Sequence, residues 1–260
     1  MFWKSKRLAA EATKRVAEVG WLLQSDQASF IWEAPRPVTR AETPVAGHAK
    51  SVAYCPSVID HEARLYEVPC PLDLHLRFRF NEKGDCVIID VAGEKSAVRA
   101  NILPQMVVVV PRQEWRHPNR PVLQMPSPYT FLADEPVWMT QMPPFIHYRN
   151  PPWPGLLIGG RLPIDVWPRP MMWAFEWFDI EQDLILKRGE PWFYVRFETP
   201  DASRKVRLVE AEMTPQLKEY IAGLSGVTNY VNRTFSLFQT AQSRRPEKLL
   251  VKRARVPAGV

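Results

Sequence analysis

The sequence has few of the features that mark secreted or membrane proteins. Its 260 residues include three cysteines, Cys55, Cys70 and Cys86, with no Cys-x-x-Cys spacing, which disfavours a disulfide framework and a zinc ribbon. No apolar run approaches the roughly 20 residues of a membrane span, and no secretory signal pattern precedes the cysteines. We therefore expect free thiols, no membrane span and a reducing compartment such as the cytoplasm.

The sequence also lacks the short motifs of common catalytic sites. It contains no G-x-S-x-G elbow, no P-loop and no G-x-G-x-x-G fingerprint. A jelly-roll iron site needs a His-x-Asp/Glu pair, and none of His48, His61, His75, His117 and His147 has one. The pair Gly159-Gly160 lies in a strand pattern, which indicates a bulge or a close backbone approach. No catalytic residue, metal or cofactor is predicted.

Proline and tryptophan, in contrast, are abundant. There are 26 Pro and 10 Trp but only 11 Gly. Proline at this level argues against an all-helical fold, because each interior proline costs a helix about 3 kcal/mol. Short alternating segments with no helical pattern between them favour a mainly β fold, an antiparallel β-sandwich or jelly-roll-like body. The predicted strands are Leu72–Phe80, Cys86–Val91, Gln105–Val110, Val137–Gln141, Gly155–Leu162, Met171–Phe178, Leu184–Leu186, Trp192–Glu198 and Lys205–Glu212, with a hairpin turn over Asn81–Asp85.

Helical patterns occur at both ends of the chain. Residues 1–33 contain an amphipathic pattern from Trp3 to Gln24, with Gly20 as its weak point, and this predicts an N-terminal helix. A Pro-rich linker follows at 34–50, and the β-rich core domain is expected over 51–212. A C-terminal helical segment is predicted over 213–243, with Thr214 as N-cap and Pro215 at the first helical position.

The net charge of +6 is concentrated at the two ends. Residues 244–260 form a basic tail that we expect to be mobile unless a partner orders it, and residues 1–15 are also basic. This distribution leaves nucleic-acid binding open for the termini and weakens it for the body. The nucleic-acid candidates are Arg244, Arg245, Lys248, Lys252, Arg253 and Arg255.

The segment 142–170 combines prolines with aromatic and charged side chains. Prolines hold the backbone in extended geometry, so a surface built on them binds at a low entropy cost. The same residues could instead cap the ends of a sandwich, and both interpretations stay open. The binding-surface candidates are Phe145, His147, Tyr148, Arg149, Trp153, Arg161, Trp167, Arg169 and Glu176.

Glu176 is the one carboxylate with an unusual setting. Strand alternation places Trp173, Phe175 and Trp177 on one face and Glu176 on the other, among large apolar neighbours. It is a candidate for acid–base work, although a structural ion pair with Arg161 or Arg169 is the favoured interpretation.

Several short motifs follow one another in a fixed order along the chain. They are Cys-Pro at 55–56, Tyr-Glu-Val-Pro-Cys-Pro-Leu-Asp-Leu at 66–74, Phe-Leu-Ala-Asp-Glu-Pro at 131–136, Gln-Met-Pro-Pro-Phe at 141–145, Gly-Gly-Arg-Leu-Pro-Ile-Asp-Val-Trp-Pro-Arg-Pro at 159–170, and Gly-Glu-Pro-Trp-Phe-Tyr-Val-Arg-Phe-Glu-Thr at 189–199. Their order resembles an uncharacterised protein family of tailed phages, particularly marine ones, that also occurs in bacterial genomes. The C-terminal part is similar to a bacterial domain-of-unknown-function family with the same strand–Gly-Glu-Pro–strand ending. The resemblance covers about residues 51–210, implies a phage-type origin and carries over no catalytic residue.

Three functions follow as hypotheses. The favoured one is a non-catalytic module that binds other protein chains (virion or host proteins, or a second copy), in the host cytoplasm or as a structural or assembly component of a virion. The second is a cupin-like enzyme with a non-standard metal site drawn from His61, Glu62, His75 and His147. The third is nucleic-acid binding through the basic termini.

Overall fold

Strands account for most of the regular structure, as the alternating patterns predict. The structure is a computed structural model that describes residues 16–24, 31–39, 51–227 and 234–254. The strands are β1 (Val16–Leu23), β2 (Arg36–Pro37), β3 (Leu65–Pro69), β4 (Leu74–Phe80), β5 (Cys86–Asp90), β6 (Val108–Val109), β7 (Val122–Leu132), β8 (Trp138–Met142), β9 (Gly155–Leu157), β10 (Gly160–Pro163), β11 (Pro170–Trp177), β12 (Leu184–Leu186), β13 (Pro191–Glu198) and β14 (Lys205–Glu210). The helices are α1 (Pro56–Glu62), α2 (Leu103–Met106), α3 (Pro215–Val227) and α4 (Thr234–Arg244).

These strands form three sheets. Sheet 1 has the order β14-β1-β7-β11-β9, with β6 also paired to β7; sheet 2 has the order β10-β8-β13-β3-β2; and sheet 3 has the order β12-β4-β5. Among the described strands, β1 and β14 are the parallel pair and the other pairs are antiparallel. The prediction of a mainly β fold with antiparallel sheets is therefore confirmed.

Aromatic side chains join the sheets into one core. Trp173 of sheet 1 stacks on Trp192 of sheet 2 with ring centroids 5.6 Å apart, and Phe131 meets Phe197 at 5.5 Å. Sheet 3 joins through Phe78, whose ring lies 6.0 Å from that of Trp177. Truncating a buried tryptophan to alanine typically costs about 3–5 kcal/mol, so this set of rings contributes much of the fold's stability.

The predicted N-terminal helix is wrong where the structure describes it. Residues 16–23 form β1, an interior strand of sheet 1 between β14 and β7, and residues 3–15 of the predicted helix lie outside the described residues. The apolar residues of Val16–Leu23 suit either periodicity, and pairing on both edges decides in favour of the strand. The β-rich body therefore includes Val16 and does not begin at residue 51.

Two predicted strands differ in detail. The segment 155–162 is not one strand but two, because β9 pairs with β11 in sheet 1 whereas β10 pairs with β8 in sheet 2. The chain changes sheet at Gly159, where an added Cβ would lie 2.7 Å from the carbonyl oxygen of Gln141, so the expected close backbone approach is present. Of the predicted strand Gln105–Val110, only Val108–Val109 is a strand, and it follows α2.

The longest strand, β7, has no predicted counterpart. Its residues Pro126 and Pro128 argue against a central strand, because proline cannot donate a ladder hydrogen bond. Both prolines lie between the part of β7 that pairs with β6 (123–124) and the part that pairs with β1 (129–132). Neither β6 nor β1 pairs with β7 at the two prolines, so no ladder hydrogen bond to these neighbours requires an amide there. The strand can therefore contain proline and still lie in the interior of the sheet.

The C-terminal helical segment is confirmed, and Thr214 caps α3 by accepting a hydrogen bond from the Leu217 amide at 3.1 Å. The described part of the basic tail, up to Ala254, packs against the body of the same chain. For these residues, order therefore does not require a partner. Leu249 and Leu250 are buried, and both amides donate to Oδ1 of Asp134 at 2.7 and 2.9 Å.

The helices and the cysteines bear on two further expectations from the sequence, the absence of a membrane span and the presence of free thiols. In the described ranges, no helix has the length and apolar character needed to cross a membrane. Cys55, Cys70 and Cys86 are free thiols, and burial raises the pKa of Cys70 to about 12.

Candidate functional site

The outer face of sheet 2, opposite the face that packs on sheet 1, carries the polar residues of three strands. On β13, Tyr194, Arg196 and Glu198 alternate with the inward Phe193, Val195 and Phe197. Thr140 of β8, which lies between β10 and β13, pairs with Arg196 on one side and with Arg161 of β10 on the other. The pleat thus places two arginines in one row, two strands apart, on the same face.

Helix α1 and the proline-rich segment that follows β8 cover one end of this face. The ring of Phe145 makes an edge contact with Tyr194 at 5.7 Å, and the ring of His61 on α1 lies 5.7 Å from Phe145. Tyr194 is buried beneath them, and this burial raises the pKa of its phenol to about 12. Its role is structural, because its ring supports the exposed segment.

Arg149 fixes the proline-rich segment to the body. Its guanidinium donates to the carbonyl of Pro191, lies 3.4 Å from a carboxylate oxygen of Glu190 and stacks 4.0 Å above the ring of Trp153. Burial, the largest effect, lowers the pKa of Arg149, and the nearby Glu190 carboxylate opposes this shift. Trp153 is held in turn by its indole N–H, which donates to the carbonyl of Ile185 at 2.9 Å.

Three large side chains of this anchored segment face solvent. Tyr148 is 85% exposed, Phe145 is 53% exposed and Ile146 is 38% exposed. We refer to Phe145, Ile146 and Tyr148 as the aromatic ridge. Its backbone is held by turn hydrogen bonds from the Phe145 amide to the Pro143 carbonyl at 2.8 Å and from the His147 amide to the Pro144 carbonyl at 3.1 Å.

A small cavity with an arginine-rich lining opens on the same sheet. It has a volume of about 190 Å³, and we refer to it as the arginine cavity. It connects to the ridge through His61, because Nδ1 of His61 lies 3.4 Å from Nη1 of Arg196. The lining residues are Arg64, Arg161, Arg196, Phe197, Glu198, Thr199, Ala202 and Arg204.

The structure divides the nine predicted binding residues among several places. Phe145, His147, Tyr148 and Arg149 lie together, with His147 Nε2 3.5 Å from Glu190, and Arg161 lines the arginine cavity. Trp153 is partly buried and packs edge-on against the core residue Trp173 at 5.8 Å. Trp167 is buried beneath a groove between α3 and α4, and Arg169 is exposed near it in sequence.

Glu176 forms an ion pair, but not with the predicted partners. Its carboxylate is largely buried and lies 3.8 Å from Arg116 and 4.0 Å from Arg120. The predicted alternation is correct, since Trp173, Phe175 and Trp177 are buried on the other face of β11. The partners come from the loop before β7, whose proximity depends on the pairing of β7 with β11.

The residues considered for a metal site lie in two separate places. Nε2 of His75 lies 2.7 Å from Asp183 in sheet 3, whereas His61 and His147 lie at the covered end of sheet 2. In the part of the chain that the structure describes, no three His, Cys, Asp or Glu side chains are grouped so that they could hold a metal ion.

Several nucleic-acid candidates already have partners within the chain. Arg245 donates to the carbonyl oxygens of Asp165 and Asp134 at 2.6 and 2.9 Å. Lys252 lies 2.7 Å from Glu18, and Arg253 lies 2.9 Å from Glu210. Arg244 and Lys248 are exposed, and Arg255 lies outside the described residues.

Sequence reasoning did not select Arg64, Arg196, Glu198 or Arg204. For Arg196 and Glu198 a signal exists, since both lie on the polar side of the predicted strand Trp192–Glu198. For Arg64 and Arg204 no local pattern points to a site, because both lie in or beside loops. In comparisons with known proteins, no family model and no curated protein matches the chain.

Proposed function

We propose that this protein is a non-catalytic binding protein that engages another protein chain through the aromatic ridge. The observation that carries the proposal is the exposure of Phe145, Ile146 and Tyr148 together on a segment that Arg149 anchors. Adjacent large apolar side chains on a surface mark interaction sites, and tyrosine is among the residues enriched in binding hot spots.

The anchoring of the ridge supports tight binding. A flexible loop must lose conformational freedom when it binds, and this loss costs about 0.5–1.5 kcal/mol for each immobilised side chain. Pro143, Pro144, Pro151 and Pro152 flank the ridge, and their fixed φ torsions restrict the chain on both sides of it before any partner arrives. We therefore expect the ridge to lose less conformational entropy on binding than a glycine-rich loop would.

The resemblance to a tailed-phage family supports a partner among virion proteins. We propose a structural or assembly role, in the virion or in the cytoplasm of the host cell. Two sheets joined through Trp173–Trp192 and Phe131–Phe197 support a β-sandwich, an architecture that viral structural proteins use. The parallel pair β1–β14 departs from an ideal jelly roll, so we propose the sandwich and not a complete jelly-roll order.

Site-specific photocrosslinking tests the ridge. A photoreactive phenylalanine analogue is placed at position 148, and at position 80 as a control, because Phe80 is an exposed aromatic residue at the end of β4, away from the ridge. The protein is produced with the products of the genes that flank its own gene. We expect one defined adduct from position 148 that position 80 does not form, and an adduct with the protein itself would identify a second copy as the partner.

Binding of the crosslinked partner is then measured with purified components. The double variant Phe145→Ser/Tyr148→Ser should lower the affinity at least tenfold, because hot-spot truncations cost about 2 kcal/mol or more. Phe80→Ser should bind normally, and circular dichroism should show that both variants are folded. Equal adducts from positions 148 and 80, or equal affinity of the two variants, would overturn the proposal.

A further inference from the structure

Two arginines of the arginine cavity share a single carboxylate. Glu198 Oε2 lies 3.3 Å from Nε of Arg161, and Oε1 lies 3.6 Å from Nη2 of Arg196. The other two arginines are differently placed. Arg64 is bidentate to Asp60 at 3.0 and 3.1 Å, and Arg204 is bidentate to Glu135. The uncompensated positive charge therefore belongs to Arg161 and Arg196.

The donors of Arg196 are incompletely used. A guanidinium has five N–H groups, and those of Arg196 have His61 Nδ1 at 3.4 Å and the distant Glu198 as neighbours. Its Nε is buried without a hydrogen-bond partner. A partly buried guanidinium in this state gains more from an added acceptor than a fully exposed one does, because the surroundings screen its charge less.

The geometry suits an acceptor between the two side chains. Arg161 and Arg196 flank Thr140 in one row, so their backbones are about 10 Å apart across three strands spaced by about 4.8 Å. The guanidinium of Arg161 stacks 4.2 Å above Trp138, which limits its motion. The cavity of about 190 Å³ has room for one phosphate or carboxylate group.

We propose that Arg161 and Arg196 form a subsite for one small oxyanionic group, a phosphate or a carboxylate, in the arginine cavity. Arginine suits this role because its planar fork of donors matches the oxygen atoms of either group. Glu198 occupies part of this fork in the absence of ligand and competes with it. The inference does not depend on the aromatic ridge or on the identity of its partner.

The direct test is a titration followed by the Nε–H resonances of the arginines in NMR spectra. Inorganic phosphate and acetate are added separately, with sodium chloride adjusted to hold the ionic strength constant. We expect saturable shifts at Arg161 and Arg196 but not at the exposed Arg169, which lies outside the cavity. Saturation by phosphate alone assigns a phosphate ligand, by acetate alone a carboxylate ligand, and by both a subsite that accepts either; all three support the proposal.

Variants separate a binding role from a structural one. Arg161→Gln and Arg196→Gln should each lower the affinity by about tenfold, the usual effect of losing hydrogen bonds to a charged group. Glu198→Gln should raise the affinity, because it removes the competing carboxylate, whereas Arg169→Gln should leave it unchanged. Melting temperatures show whether each variant is folded.

Two results would overturn the subsite. One is the absence of saturable binding of either anion to both the wild-type protein and the Glu198→Gln variant. The other is the same affinity in the wild-type protein and in a folded Arg161→Gln/Arg196→Gln double variant. Both results are independent of the crosslinking experiment, so this inference and the proposed function can fail separately.

Discussion

Replacing Gly20 with alanine distinguishes a helix from a strand at the N-terminal end by the sign of one measurement. In a helix, Gly→Ala stabilises by about 1 kcal/mol. In β1, an added Cβ would lie 2.5 Å from Cδ1 of Leu250, 3.0 Å from Cβ of Ala211 and 3.2 Å from Cγ of Leu132. Leu250 can rotate away, but the Cβ of Ala211 is fixed by its backbone.

The expected cost follows from this crowding. Inserting one methyl group into a packed region typically costs about 1–3 kcal/mol. The added Cβ would meet three neighbouring atoms, and the one on Ala211 is fixed by the backbone. We therefore expect a cost near the middle of this range, a loss of about 2 kcal/mol in the free energy of unfolding. The strand and the helix thus differ by about 3 kcal/mol, well beyond the error of a denaturation curve.

The assay is urea unfolding followed by tryptophan fluorescence. Two other glycines provide controls, because an added Cβ at Gly223 in α3 or at Gly160 in β10 would meet no atom within 4 Å apart from the adjoining backbone. Gly223→Ala should stabilise by about 1 kcal/mol, and Gly160→Ala should change stability by less than about 1 kcal/mol. A gain for Gly20→Ala similar to that for Gly223→Ala would refute the strand.

A double-mutant cycle with Leu250 tests the docking of the tail. If Leu250 causes part of the crowding, Gly20→Ala should cost less in a Leu250→Ala background than in the wild-type background. Equal costs in both backgrounds would contradict a contribution of Leu250 to the crowding at Gly20.

Two further predictions concern single carboxylates. The Asp183 pKa is lowered to about 2, chiefly by hydrogen bonds from Arg77, so its contribution to stability should be complete above about pH 5 and disappear as the pH falls through about 2. The difference in unfolding free energy between the wild-type protein and Asp183→Asn should therefore shrink over this range in acid titrations, and a constant difference would contradict the assignment. Asp134 accepts hydrogen bonds from the Leu249 and Leu250 amides, so Asp134→Ala should increase the hydrogen-exchange rates of those amides at least tenfold. Asp60→Ala, on α1, serves as the control, and unchanged exchange in Asp134→Ala would mean that another group holds the tail.

The strands that sequence reasoning found are those whose own residues alternate clearly. Leu74, Leu76 and Phe78 are buried on one side of β4, and the turn over Asn81–Asp85 forms as predicted, with Gly84 at a φ of 82°. These features depend on neighbouring residues and on turn chemistry, so they are visible locally. The same is true of the Thr214 cap and of the alternation around Glu176.

The errors arose where distant segments decide the outcome. The pattern over Val16–Leu23 fits a helix until β14 and β7 pair with both of its edges. The prolines of β7 are acceptable only because β6 and β1 leave a gap beside them. For β1, hydrogen bonds to residues more than 100 positions away outweigh the local helix preference. For β7, a gap between two neighbouring strands removes the usual objection to proline.

The candidate site divides in the same way. The sequence alone determined that the segment 142–149 combines aromatic residues with a proline-stiffened backbone, because proline geometry and side-chain size are properties of the residues themselves. Only the tertiary structure decided that Arg161 joins Arg64, Arg196 and Arg204 around one cavity. It also decided that Phe145 and Tyr148 are exposed, that Trp153 is partly buried against the core and that Trp167 is buried. The physical reason is that strand register and loop position, which are set by pairing across the sheets, determine which charges meet and which rings lose contact with water.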